Sequence, residues 1–397
     1  MTLPIYLDHH ATTPTDRRVV DAMLPYFSAD FGNAASHTHV YGWRAEAAVE
    51  AARESLAHAI GARRASEIVF TSGATESDNL ALLGLVRAGR ARRDHVVTVA
   101  TEHRAVLDSC RALEAEGCSV TVLPVDSAGR VDPDAVARAI GPRTAVVSVM
   151  AANNEIGTLQ PIAELGRICR EREVPLHCDA AQAIGKVPFD VETGQVDLLS
   201  FCAHKLYGPK GVGALFVRDR RPRLRLEPLL HGGGHERGLR SGTLPVPLVV
   251  GFAKAVELCL EEREREAERE AALRDRLWLG LSGALDGLHR NTPHEGALPG
   301  NLNVSFGGVD AAGLLVALPD VALSTGSACT SAHPEPSHVL AAIGAPPELA
   351  RSAVRFGLGR PTRDADIETV VKRVVTEVRR LRSEGRHAST TRRAALP

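Results

Sequence analysis

Up to about residue 200, short β-branched apolar runs alternate with longer amphipathic ones, and this alternation restricts the fold more than any other feature of the chain. The apolar runs are Glu67–Thr71, Val96–Ala100, Ser119–Leu123, Ala145–Val149, Val174–Asp179 and Asp197–Phe201, with another at Val212–Val217. Amphipathic stretches such as Leu107–Glu116 and Ile162–Glu171 lie between them. Parallel strands need crossovers, usually helical, so the pattern predicts an α/β fold with a mostly parallel seven-stranded sheet covered on both faces. Such sheets bind ligands beyond the carboxyl ends of their strands. Thr71, Thr101, Asn153, Asp179 and His204 fall at or just past those ends, so their polar groups are expected to converge.

After Val217 the character changes. Residues 220–245 are rich in Arg, Gly and Pro and read as loop, and Glu261–Glu270 reads as a solvated connecting helix. A second α/β region follows, with strands expected near Asn301–Phe306, Val321–Thr325 and Ala353–Leu358. The expected organisation is a large domain at 15–255, a smaller domain formed by 1–14 and 256–385, and a disordered tail at 386–397. Charge and apolar content exclude some classes. A net charge of −1 gives no bulk argument for nucleic acid or an anionic membrane surface. Runs such as Ala311–Leu318 are too short for a membrane span. No secretory signal is visible at Met1–Tyr6, and the seven scattered cysteines contain no CxxC pair, so a cytoplasmic protein with reduced thiols is expected.

Lys205 follows one predicted strand and Asp179 ends another. That pair suits pyridoxal 5′-phosphate: a lysine forms a Schiff base with the aldehyde, and an acid keeps the pyridine nitrogen protonated. A plain ion pair would have the same spacing. Thr71–Asn79 joins strand to helix through small residues, and Gly73, Ala74 and Thr75 read as a phosphate cradle or as an ordinary helix cap. His103, after Thr101-Glu102, stacks on a ring or is structural. Asn153–Gly157 either bonds a ligand or makes an Asn-rich turn. The stretch His231–Thr243 is too glycine-rich and charged for a passive linker, yet it lacks the Gly-Lys-Ser/Thr of a P-loop. Cys329 sits among small polar residues before Pro334 and Pro336, the setting of a reactive loop thiol, whereas Cys110, Cys169 and Cys259 read as small hydrophobes. The 16 histidines include His9-His10, His37 and His39, and His177 two residues from Asp179, but none has zinc-finger or HExxH spacing, so no dedicated metal site is expected.

Taken in order, Tyr6-Leu7-Asp8, Ala11–Pro14, Thr71–Asn79, Thr101–His103, Asn153–Gly157, Asp179–Gln182, His204-Lys205, His231–Thr243, Gly326–Ser331 and Arg355–Arg360 resemble the NifS/IscS-like cysteine desulfurases. These belong to the class-V aminotransferases among fold type I pyridoxal-phosphate enzymes. The resemblance covers nearly all of the chain except the last 20 or so residues. It implies that Lys205 carries the cofactor, Asp179 pairs with its pyridine nitrogen, Gln182 bonds its ring hydroxyl and His103 stacks on its ring. Gly73, Ala74, Thr75, Cys202 and His204 would hold the phosphate, joined by Thr243 from the other subunit of a homodimer. Asn154, Arg355 and Asn33 would bind the substrate, and Cys329 would accept its sulfur. The implied reaction converts L-cysteine to L-alanine and leaves a persulfide on Cys329, for delivery to an iron–sulfur scaffold or another sulfur acceptor. Cys329 would also be able to ligate an iron–sulfur cluster transiently. The chain departs from the family at Cys202, which replaces a usual serine, at Ala203 and Ala34, at His9-His10, and in its tail. Two other readings remain at this point: a selenocysteine lyase or aminotransferase on the same fold, and a non-catalytic sulfur-transfer hub.

Overall fold

The computed structural model describes residues 3–325 and 337–394, with side chains described as far as residue 384. The strands in chain order are β1 (Ile5–Tyr6), β2 (Ile68–Thr71), β3 (His95–Val99), β4 (Ser119–Leu123), β5 (Thr144–Ser148) and β6 (Leu176–Asp179). They continue as β7 (Leu198–Cys202), β8 (Gly213–Val217), β9 (Leu288–Arg290), β10 (Asn301–Phe306), β11 (Val321–Ala322) and β12 (Ala353–Gly357). Seven of them form one sheet in the order β2-β8-β7-β6-β5-β3-β4. All its pairings are parallel except those of β8, which runs antiparallel to both β2 and β7. The predicted α/β fold with a mostly parallel seven-stranded sheet is therefore present.

The apolar runs are continuous because helices cover both faces. Leu176 and Cys178 pack with Val49, Leu56, Leu165 and Phe201 on one side. Leu198 and Leu215 pack with Leu80, Val86, Val106 and Leu113 on the other. Each such Val, Leu or Phe contributes about 1.5–3 kcal/mol by leaving water. A second sheet, β12-β10-β9, is antiparallel throughout. Its Leu302, Val304, Val354 and Phe356 pack against Leu273 and Leu277 from one helix and Val370, Val374 and Val378 from another. Leu7 enters this same cluster, next to the parallel pair β1–β11.

Two stretches differ from the sequence reading. The charged run Glu261–Glu270 is part of one 37-residue helix, Val246–Ser282, which carries the chain from the first sheet to the second. It is not simply solvated: Arg269 turns inward and donates to the carbonyls of Thr362, Gly359 and Arg360 at 2.6–3.1 Å. The final helix runs Asp364–Ala394, so its backbone passes residue 385. Among the described residues no helix is long and apolar enough to cross a membrane.

Candidate active site

The carboxyl ends of β6 and β7 are neighbours, with Asp179 in register with Ser200. The chain leaves β7 through a single helical turn, Ala203–Lys205. This brings Asp179 and Lys205 into the wall of one cavity of about 650 Å³, with Gly73, Ala74, Thr75, His103, Asn154, Gln182, Cys202, His204 and Arg355. That volume suits a cofactor-sized molecule. Eleven of the fourteen predicted site residues meet there (counted from the wall). Asn33 and Thr243 do not; both are exposed, and the Asn33 side chain accepts from the Ala35 amide at 2.9 Å. Cys329 lies outside the described residues.

Asp179 is 5% exposed. Its Oδ1 accepts from the Ala181 amide at 2.9 Å. Burial, reinforced by the nearby Asp78 carboxyl, pushes its pKa up to about 6. A buried acid in that state gains from facing a cation. Lys205 Nζ donates to the carbonyls of His10 at 2.6 Å and Ala11 at 2.7 Å, which aims the amine at a segment of the cavity wall. His103 caps the helix Arg104–Ala115: its Nδ1 accepts from the Ala105 amide at 3.1 Å. An accepting Nδ1 places the proton of the neutral ring on Nε2, and burial lowers the pKa so that the neutral form is favoured.

The segment predicted to cradle a phosphate has space of the required kind. A Cβ added to Gly73 would meet nothing within 4 Å, whereas one on Gly213 across from it would lie 2.7 Å from the Gly73 backbone. The backbone is thus packed from behind and open in front. Glu76 takes the Ser72 amide at 2.7 Å and Arg240 at 2.9 Å, tying the glycine-rich segment His231–Thr243 to the cradle. His204 Nδ1 lies 3.2 Å from the Thr12 hydroxyl, and burial lowers its pKa to about 4. The buried Cys202 thiol lies within reach of the Ala74 amide, and desolvation raises its pKa to about 11. It therefore remains a neutral thiol. Cys202→Ser would supply a stronger donor to an anion, and is expected to tighten cofactor retention about fivefold in equilibrium dialysis.

Arg355 reaches the cavity from β12 and is 1% exposed. Its guanidinium donates to Asp8 Oδ1 at 2.7 Å and to the Asn154 carbonyl at 2.9 Å. Sequence reasoning assigned no role to Asp8, to the backbone carbonyls of His10 and Ala11, or to Ser337 and His338, which also line the wall. His338 Nε2 lies 2.9 Å from the Glu102 carbonyl, joining the segment after residue 336 to the end of β3. His177, considered above as a metal ligand, instead meets the hydroxyls of Ser148 at 2.8 Å and Ser200 at 3.0 Å.

These residues fit pyridoxal phosphate: a lysine amine, a buried acid facing the same space, a neutral imidazole and an open glycine-lined backbone. When bound, the cofactor supplies an electron sink for a carbanion next to an amine.

The aminotransferase class-V family matches residues 5–370. "Cysteine desulfurase IscS" of Anaeromyxobacter sp. (strain Fw109-5) is 57% identical over 382 residues, 96% of this chain and 94% of that protein. A solved structure named "NIFS-LIKE PROTEIN" superposes with a TM-score of 0.88 at 37% identity, covering 95% of this chain and 99% of the other. Another, "SspA in complex with cysteine", superposes with a TM-score of 0.80 at 38% identity, covering 89% and 99%. The chain belongs to the aminotransferase class-V family, the class that its sheet and cavity define. Within that family it is a pyridoxal-phosphate-dependent enzyme of the NifS/IscS-like cysteine desulfurase group.

Proposed function

We propose that the chain takes sulfur from free L-cysteine, releases L-alanine, and holds the sulfur as a persulfide on Cys329 for transfer to an acceptor protein. The observation that carries this reading is the meeting, in one cavity, of a cofactor-type lysine and acid with a buried arginine from the second sheet. Lys205 Nζ would hold the cofactor and would also be the base that takes the substrate Cα proton. Asp179 would face the pyridine nitrogen and Gln182 the ring oxygen, while His103 presents a neutral ring. Arg355, with Asn154 beside it, would receive the substrate carboxylate; Asn33, which lies outside this cavity wall, would assist it. The Cys329 thiolate would take the substrate sulfur as the carbon–sulfur bond breaks, and a proton completes alanine. The six described cysteines are all buried, and burial raises the pKa of each thiol, which leaves them poor nucleophiles and supports Cys329 in this role.

The working unit in this reading is a homodimer. Exposed Phe27, Phe31, Tyr41 and Trp43 offer apolar surface near exposed Asn33, and exposed Thr243 is free to serve a neighbouring copy's phosphate site. Buried thiols suit a reducing cytoplasm, and an iron–sulfur scaffold is the expected acceptor. The two domains would be 15–255, and 1–14 with 256–385, meeting at the cavity. The test adds L-cysteine to the loaded protein and measures alanine, sulfide and the cofactor's visible absorbance. Wild type is expected to give both products in step. Cys329→Ala is expected to keep the absorbance change but lose more than about 100-fold in sulfide formation. Absorbance without any cysteine turnover by wild type would reassign the substrate.

A further inference from the structure

Lys205 lines both the main cavity and a second one of about 40 Å³, whose wall includes Lys186, Glu270, His9 and His10. Lys186 does not reach the main cavity wall. Its Nζ donates to Gln182 Oε1 at 2.6 Å. The other end of that amide, Nε2, donates to the His10 carbonyl at 2.9 Å, the same oxygen that receives Lys205 Nζ at 2.6 Å.

An ammonium only donates and a backbone carbonyl only accepts. Lys186 and the His10 carbonyl therefore demand the same orientation of the Gln182 amide, and neither tolerates its flip. Oε1 is committed to Lys186. The second hydrogen of Nε2 remains for the main cavity, whose wall Gln182 also forms. An oxygen placed beside Gln182 thus meets a donor, with a buried cation behind it. The ionisable groups acting on Lys186 are Lys205, Glu270, Cys259 and Cys202, with His9, His10 and His204 close enough to feel its charge. Desolvation, then Lys205, lowers the Lys186 pKa to about 8, so its cationic form still dominates at neutral pH.

We propose that Lys186 is a positioning residue that locks the Gln182 amide with its N–H toward the cofactor's ring oxygen and so favours the ionised form of that oxygen. The proposal rests on the reading that Gln182 faces this oxygen. A donor and a cation on that side would withdraw charge from the ring oxygen and favour loss of a proton from the bound cofactor. Without Lys186 the amide loses its fixed orientation and the cation is gone, so that proton would be held to higher pH.

The experiment titrates the visible absorbance of the loaded protein against pH, without substrate. Lys186→Met is expected to raise the midpoint by roughly one pH unit. Lys186→Arg, which keeps a donor-only cation, is expected to stay near the wild-type midpoint. If the Met variant does not fold, Lys186→Gln takes its place in the same comparison. Gln182→Glu tests the underlying reading, because an acid beside the ring oxygen must move the midpoint. An unmoved midpoint in Gln182→Glu would overturn the placement of Gln182. A moved midpoint there, with none in Lys186→Met, or equal shifts in the Met and Arg variants, would overturn the role of Lys186.

Discussion

Lys205→Ala is expected to give a folded chain that binds pyridoxal phosphate without covalent attachment and turns over L-cysteine at least about 10³-fold more slowly than wild type. The loss would combine the two functions proposed for one amine: the linkage that places the cofactor and the base beside the substrate Cα. Folding should survive. The amine leaves two acceptors, the carbonyls of His10 and Ala11, without their donor. Each orphaned group would cost about 1–3 kcal/mol if kept dry. Both face a cavity of about 650 Å³, which water can enter, so most of that cost is recovered. Borohydride reduction followed by intact mass measurement provides the check. Wild type should gain the cofactor's mass irreversibly and the variant should not. Irreversible gain in the variant would show that another amine carries the cofactor, and Lys186, lining the adjoining cavity, would be the first to examine.

The sequence carried the scaffold further than it carried the wiring of the site. Asp179 and Lys205 were legible because each follows a short buried apolar run, and strand ends in a parallel sheet converge by geometry. Arg355 is different. It belongs to the second sheet, and no local pattern connects Ala353–Gly357 with β6 or β7; the family resemblance located it. Its partner Asp8 and the carbonyls of His10 and Ala11 were missed for a physical reason. Backbone acceptors leave no side-chain signature, and an isolated Asp before a loop has many uses. β9 and β1 have three and two residues, too few for alternation to show. The charged run Glu261–Glu270 misled because composition ignores the helical period. Every third or fourth residue of it, such as Glu262, Glu266 and Glu270, turns toward the protein. Asn33 and Thr243 stand outside the cavity wall of this single chain; Thr243, proposed above to serve a neighbouring copy, would need no burial within its own.

Glu236→Ala is expected to destabilise the protein by about 3–5 kcal/mol, the cost of removing one partner from a buried ion pair. Glu236 receives Arg53 Nη1 at 2.7 Å and Nη2 at 2.8 Å, and it also receives the Phe70 amide at 2.8 Å. The two side chains are 5% and 2% exposed. Removing the carboxylate leaves a guanidinium and a strand amide buried together, although Arg53 would keep its ion pair with the half-exposed Glu50 at 3.0 Å, its bond to the Ile68 carbonyl at 2.9 Å and its place 4.7 Å from the Phe70 ring centre. Glu236 and Arg237 both adopt left-handed backbone, with φ of 51° and 56°, a conformation that non-glycine residues keep only when their surroundings impose it. At Glu236 the surroundings are the two Arg53 bonds and the Phe70 amide. Phe70 is followed directly by Thr71, where the cradle begins, so loosening this contact should also weaken cofactor retention. Urea denaturation of the loaded protein measures the first effect and dialysis the second. Glu236→Gly separates charge from strain: it removes the same carboxylate but accepts the backbone, so it should be destabilised less than Glu236→Ala. Equal losses would mean that the left-handed backbone stores no strain, and a loss below about 1 kcal/mol in both would mean that water reaches Arg53 once the acid is gone.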